Sequence, residues 1–271
     1  MSASGATWAR PLPPALFGLG RSRRLIERNA LVFRKTWWVF ASGISEPVFY
    51  LLSIGVGIGK LVGGIPGPNH TLVPYASYAA PALLASSAMN GAVIESTYNV
   101  YFKLKYTKVY DAVLASPMNA GDVARGDIFT SLMRGAVYAA VFVTLMAGLG
   151  DVQSAWAVLA LPAAVLVGFA FAAVGMAATT YMRGWTDFDF VNLALLPLFL
   201  FSTTFYPLSV YPRWLQIVVE CTPLFHGVAL IRALTLGYVG WGLFGHVAYL
   251  GVMGAIGVAV AGRRIQKLLL S

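Results

Sequence analysis

The side chains able to do chemistry in this sequence are few, and most stand inside or beside apolar stretches. Glu46, Glu95 and Arg134 lie within such stretches, where an unpaired charge costs about 3 kcal/mol or more, so each needs a partner or a task. Glu95 and Arg134 fall near the same end of their segments, which suits an ion pair between adjacent helices or snorkelling to the interface. Glu46 lies nearly halfway into the first apolar run, placed either to line a path or to hydrogen-bond a broken helix. Asp187 and Asp189, beside Arg183, fit a salt-bridged turn or a docking contact better than acid–base catalysis.

GVGIGK (Gly55 to Lys60) is superficially like a phosphate loop, but that motif needs four residues between its glycines and Ser or Thr after the Lys; here there are three, then Leu61. Nucleotide hydrolysis by this chain is therefore not expected, and the glycines read as packing residues. His70, His226 and His246 are isolated from one another in sequence, so no metal site is expected. Cys221 is the only cysteine, which excludes an intrachain disulfide and a CxxC site. The expectation is a protein that is not an enzyme, with no catalytic residue and no cofactor of its own.

A chain that is 58% hydrophobic and 11% charged, with mean hydropathy +0.73, does not fit a soluble domain. The net charge of +9 could suit a nucleic-acid binder, yet the basic residues are interleaved with runs of membrane-spanning length, so anionic headgroups are the better match. The predicted fold class is an all-α membrane protein with six transmembrane helices, an N-terminal amphipathic interfacial helix and a re-entrant helical hairpin before the sixth span. Met1 to Gly20 is Pro-rich and without a signal-peptide core, so 1–20 reads as a flexible N-terminus ahead of a single membrane domain, 21–271.

Within that domain, 21–36 places Leu25, Ile26, Asn29, Val32 and Phe33 on one helical arc and arginines on the other, as an interfacial helix does. A bilayer core of about 30 Å needs roughly 20 apolar residues. Runs at about 37–59, 75–97, 128–149, 156–181, 190–206 and 243–261 supply six spans. Lys60 to Pro74 is expected as a loop, and Gly251, Gly254 and Gly257 as a flat helix-packing face. Pro207, Pro212 and Pro223 cut 208–240 into halves too short to cross, hence the hairpin. With this count, all but three of the nineteen basic residues fall on one side, the exceptions being Lys60, Arg213 and Arg232. That asymmetry places both termini in the cytosol of a multi-pass plasma or inner membrane protein.

The long polar interruption 99–127 carries Lys105, Lys108, Asp111, Asp122 and Arg125; Tyr101, Leu104, Lys108 and Ala115 recur at helical spacing up to Ser116 and Pro117. Its run VYDAVLASPMNAGDVARGD resembles the segment after the second span in ABC-2-type exporter permeases, in the branch that includes nodulation and lipooligosaccharide export permeases. CTPLFHGVALIRAL (Cys221 to Leu234) is similar to that family's stretch before the last span, with Thr222 where Asn is usual.

The resemblance implies a coupling helix in 99–127 that contacts a separate ATPase through Lys105, Lys108, Tyr110, Asp111, Leu114, Ser116, Pro117 and Asp122. It implies two ATP-binding subunits carrying ATP and Mg, a second permease chain (homodimer or paralogous heterodimer), membrane lipids around them and no nucleic acid. A substrate path past Glu46, Phe49, Asn192, Phe201 and Phe205 and an exit gate at Pro223, Leu224, His226 and Arg232 would move an amphiphile outward: a lipid-linked saccharide, a lipid or a hydrophobic drug. A secondary carrier or a non-transporting assembly subunit is the alternative, although no internal repeat of spans is visible.

Overall fold

A computed structural model describes residues 48–66, 72–106 and 120–270. Segment 21–36, Glu46, His70 and the middle of the 99–127 connection, with Lys108, Tyr110, Asp111, Leu114, Ser116 and Pro117, lie outside the described residues.

Helix α1 (48–62) includes a π-helical turn, Ser53–Ile58, and ends at Gly63, whose φ of 70° reverses the chain. The next residues are not a plain loop. Strand β1 (Gly64–Pro66) pairs antiparallel with β2 (Leu72–Pro74), Ile65 opposite Val73, and both of those side chains are buried. One buried residue per three-residue strand seats the ribbon on the bundle, so the described residues hold this small sheet beside the helices.

Pro74 leads into α2 (Tyr75–Ile94), with fourteen of its twenty residues buried. Its Ala, Ser and Gly content follows from that position: a helix enclosed by other helices needs small side chains for close approach, not a greasy face for lipid. It continues beyond the expected end at Thr97 through a π turn, Glu95–Asn99, into α3 (Val100–Lys105). The Thr179 hydroxyl, from the neighbouring helix, donates to the Ser96 carbonyl within that turn at 3.1 Å. Helix α4 (Ala120–Leu149) starts earlier than the apolar run suggests. After the link holding Asp151 and a 3-10 turn, Ala155–Leu159, comes α5 (Ala160–Thr179), which shares the centre with α2.

Helix α6 (Asp187–Phe201) runs through Pro197 and stops at Ser202, short of the expected span end near 206. Thr203 there is left-handed (φ 57°), and the Thr204 hydroxyl donates to the Phe199 carbonyl at 2.7 Å: short hydroxyl side chains supply an alternative to the next helical turn. Two shorter helices follow, α7 (Arg213–Glu220) and α8 (Pro223–Leu236), bent by 84° to each other. Helix α9 (Gly242–Leu270) carries Arg263, Arg264 and Lys267 in its last turns, where cations complement the helix dipole.

Among the described residues three helical stretches are long and apolar enough to cross a membrane, Gly126–Leu149, Ala155–Thr179 and Gly242–Leu268, or four if α7 and α8 count as one broken span. Helix α9 packs most extensively on α5. Gly254 meets Phe169 and Gly257 meets the backbone of Ala173, whereas Gly251 faces open space, so the glycine face is narrower than its spacing suggests. A Cβ on Gly257 would sit 2.7 Å from a backbone atom of Ala173, which cannot rotate away. Gly257→Val is expected to cost about 1–3 kcal/mol by forcing α9 off α5, read as a lowered unfolding midpoint in detergent, while Gly251→Val leaves the midpoint within experimental scatter.

Candidate functional site

One end of the bundle gathers the charged and aromatic side chains that border residues 107–119. Tyr98 and Tyr101, three residues apart on one helical face, meet Trp185 and Phe188, spaced the same way at the start of α6. Tyr98 stacks on Phe188 with ring centroids 4.1 Å apart, and Tyr101 meets Phe188 edge-on at 5.2 Å. Trp185 Nε1–H donates to the Tyr106 hydroxyl at 2.9 Å, and Tyr101 O–H to the Arg183 carbonyl at 3.5 Å. Such a cluster is worth about 1 kcal/mol per ring pair beyond its burial. It joins the far end of the α2–α3 rod to α6, a link that the matched (98, 101) and (185, 188) spacings could have signalled.

Asp187 does not pair with Asp189 as a chemical dyad. Its Oδ2 accepts the backbone N–H of Arg183 (2.6 Å) and of Gly184 (3.2 Å), and those bonds hold its carboxyl below the usual carboxylate range. It caps the turn that presents Trp185.

Two ion pairs brace the same end. Lys103 Nζ lies 2.8 Å from Asp127 Oδ1, tying α3 to α4 on either side of 107–119. Arg134 Nη1 donates to Glu95 Oε2 at 2.6 Å, joining α4 to the π turn, and the Asn99 amide donates to the other Glu95 oxygen at 2.5 Å. Lys105 is the exposed last residue of α3, and Asp122 falls in the opening turns of α4.

At the opposite end, Arg232 of α8 is the central group. Its guanidinium lies 3.8 Å over the Tyr78 ring, Nε donates to the Tyr78 carbonyl (3.1 Å), Nη2 to the Thr203 carbonyl (2.7 Å) and Nη1 to the Thr203 hydroxyl (3.3 Å). Pro223 opens α8, where a missing N–H costs nothing, and Leu224 is fully buried. Thr222 bonds Ser202 across 3.2 Å, linking this hairpin to the end of α6. The loop before α5 joins in: the Ser77 hydroxyl donates to Asp151 Oδ1 at 3.1 Å.

His226 and His246 are not isolated. Antiparallel packing of α8 on α9 brings their Nδ1 atoms to 2.7 Å, with Tyr249 stacked on His226 at 3.9 Å. One ring donates and the other accepts, so the pair holds a single proton between the two nitrogens. Twenty residues separate them, beyond any local ligand spacing. Among the described residues no group of three or more His, Cys, Asp or Glu gathers that could hold a metal.

The four candidate path residues among the described residues do not share one cavity. Phe49 is strongly exposed on α1; Asn192 and Phe201 point outward from α6, whereas Phe205 turns inward, edge-on to Phe199 at 5.3 Å, its carbonyl 3.4 Å from the Tyr75 hydroxyl.

Comparison with known proteins matches residues 22–236 to the family model described as ABC-2 type transporter. The chain is 29% identical over 213 residues to Nodulation protein J of Rhizobium leguminosarum bv. trifolii, covering 78% of this chain and 79% of that protein. It is 27% identical over 246 residues to Nodulation protein J of Sinorhizobium fredii, covering 90% and 92%.

Two substitutions test the braces. Arg134→Leu leaves Glu95 buried without its cation and is expected to cost about 3 kcal/mol, most of it recovered in Glu95→Leu/Arg134→Leu, as measured by thermal unfolding in detergent. Arg232→Lys keeps the charge but cannot reach the Tyr78 carbonyl and both Thr203 acceptors at once. It is expected to lose about 2 kcal/mol and to expose the 202–206 turn to limited proteolysis.

Proposed function

The chain belongs to the ABC-2 type transporter family, and from that membership we propose that it is the permease subunit of an exporter that moves an amphiphile outward with ATP hydrolysed elsewhere. The working complex pairs two permease chains with two ATP-binding subunits, which carry the ATP and Mg. Both termini and the 99–127 connection face the cytosol, in accord with the distribution of Lys and Arg. The resemblance to the branch of nodulation and lipooligosaccharide export permeases, in line with relatives named Nodulation protein J, favours the lipid-linked saccharide among the amphiphiles.

The single observation that carries the reading is the bracing around residues 107–119. Lys103 before the segment pairs with Asp127 after it, and Tyr106, the last described residue before it, accepts from Trp185, so the residues bordering the segment are tied to α3, α4 and the start of α6. A push from an ATPase on Lys105, Lys108, Asp111, Leu114 or Ser116 would be passed on through these flanking contacts to α3, α4 and α6. ATP then shifts the population of membrane states by however much more tightly its subunit binds one of them. The far end, with Pro223, Leu224, His226 and Arg232, is the exit gate, and α1 with α6 lines the route, Asn192 supplying a polar group on an otherwise apolar face.

Asp111→Arg with Leu114→Glu is expected to leave the purified chain folded and to abolish transport-coupled stimulation of the ATPase in the reconstituted complex. Stimulated hydrolysis equal to that of the unmodified complex would remove residues 107–119 from the role of lever.

A further inference from the structure

Helix α9 meets the hairpin through a cluster of rings at the α7–α8 bend. His226, one turn into α8, and His246, one turn into α9, face each other Nδ1 to Nδ1 at 2.7 Å, with ring centroids 5.0 Å apart. Phe225 stands edge-on to both, at 5.7 and 6.2 Å. Tyr249 stacks on His226 while its hydroxyl donates to the Cys221 carbonyl at 2.8 Å. Cys221 and Thr222 are where α7 and α8 bend by 84°, so two hydrogen bonds from α9 hold the bend itself.

The elements packed around the two imidazoles bring little that could balance a charge on them. Helix α5 and the Ala155–Leu159 turn carry no titratable side chain, and neither does the half of α4 at this end, 139–149. Tyr75 and Tyr78 of α2 are engaged with the Phe205 carbonyl and with Arg232, and Arg232 itself with Tyr78 and Thr203. Asp151, before α5, accepts from Ser77. Both aspartates of α6 and the basic residues of α9 sit at the far end. Helix α7 begins at Arg213 and ends at the exposed Glu220, whose backbone carbonyl faces the His226 ring, beside the exposed Cys221. Glu220 is therefore the carboxylate placed to compete with the histidines for any effect of pH.

A neutral pair has one N–H and one lone pair between the rings. A first added proton takes an outer nitrogen, Nε2, and leaves the N–H···N bond in place and charge-assisted. A second can bind only at the lone pair inside the contact, after which the N–H groups of two cations oppose each other across 2.7 Å. We propose that His226 and His246 form a proton-operated latch on the hairpin, one that stays shut with one added proton and opens when two are taken up from the side opposite the 99–127 connection. The released form binds more protons than the latched one, so lowering the pH favours release. Resting on the permease reading, this makes the exit gate sensitive to acidity at the outer face while the ATPase end is unaffected.

Cys221, exposed at the bend and the only cysteine of the chain, carries the reporter. A nitroxide is attached to it at neutral pH in the full chain in nanodiscs, without the ATPase. Its electron paramagnetic resonance spectrum is then followed from about pH 7.5 to about pH 4.5, on either side of the ordinary imidazole value. The ratio of mobile to immobile label is expected to rise as the pH falls, by up to about tenfold per pH unit, the limit for release linked to one proton. His246→Asn and His226→Asn each keep a polar atom near the Nδ1 position but remove one titrating ring, and each is expected to give the same spectrum at every pH. Tyr249→Phe drops only the bond to the Cys221 carbonyl, so the label is looser throughout while the pH response survives, which a purely structural role for the rings would not produce. Glu220→Gln keeps the response as well. A parent spectrum that does not change with pH, a response that persists in the Asn variants, or one that is lost in Glu220→Gln overturns the proposal. The parent and Glu220→Gln titrations decide even where an Asn variant fails to fold. Because no hydrolysis is measured, failure here leaves the permease reading standing, and failed ATPase coupling with the pH response intact overturns only that reading.

Discussion

A half-buried guanidinium needs strong partners, and Arg232 finds them on two other elements. Tyr78 supplies a ring face and a carbonyl from α2; Thr203 supplies a carbonyl and a hydroxyl from the turn after α6. All of these are neutral, so the charge is balanced by dipoles and a π face, the cation–π contact alone being worth about 1 kcal/mol at a half-buried site. The left-handed Thr203 backbone, which costs about 1–2 kcal/mol, persists because both of its oxygens are claimed by Arg232. The hairpin, the central helix and the end of α6 therefore move together or not at all.

The other end of the bundle obeys the same rule with different chemistry. Charge pairs with charge in Glu95–Arg134 and Lys103–Asp127, and rings pair with rings in the Tyr98, Tyr101, Trp185 and Phe188 cluster. Between the two stitched ends the helices meet through small residues: Gly257 on Ala173, Gly227 on Val167, Gly175 beside Ser96. Close backbone approach leaves little room for sliding, and bending is directed to places where the hydrogen-bond ladder is already interrupted, the π turn Glu95–Asn99, the Pro197 turn of α6 and the α7–α8 bend. Helix α6 is tied at both ends and rests Val191, Leu195 and Leu198 against the core between them.

Membrane class, the positions of the long apolar helices and the break at Pro212 and Pro223 were legible because each depends on composition or on a local backbone rule that a linear chain states outright. The proximity of Glu95 and Arg134 was also within reach, since two opposite charges at one depth in neighbouring helices have few other ways to be satisfied. The β1–β2 ribbon was hidden, because three-residue strands carry too few alternations to show a period. The span expected to run to about 206 ends as a helix at Phe201, because the hydroxyl run Ser202 to Thr204, which stops it, has no distinctive pattern.

From residue order alone it follows that this chain lives in a bilayer, that its GVGIGK run departs from the phosphate-loop pattern, and that its polar interruption at 99–127 is too long and too charged to be a simple turn. Tertiary structure alone decided that His226 meets His246, that Arg232 closes over Tyr78 and Thr203, and that Tyr98 stacks on Phe188. Hydrophobicity and helix breaking are properties of consecutive residues, whereas those contacts depend on which faces of distant helices oppose each other. That choice is made by the small residues that let the helices approach.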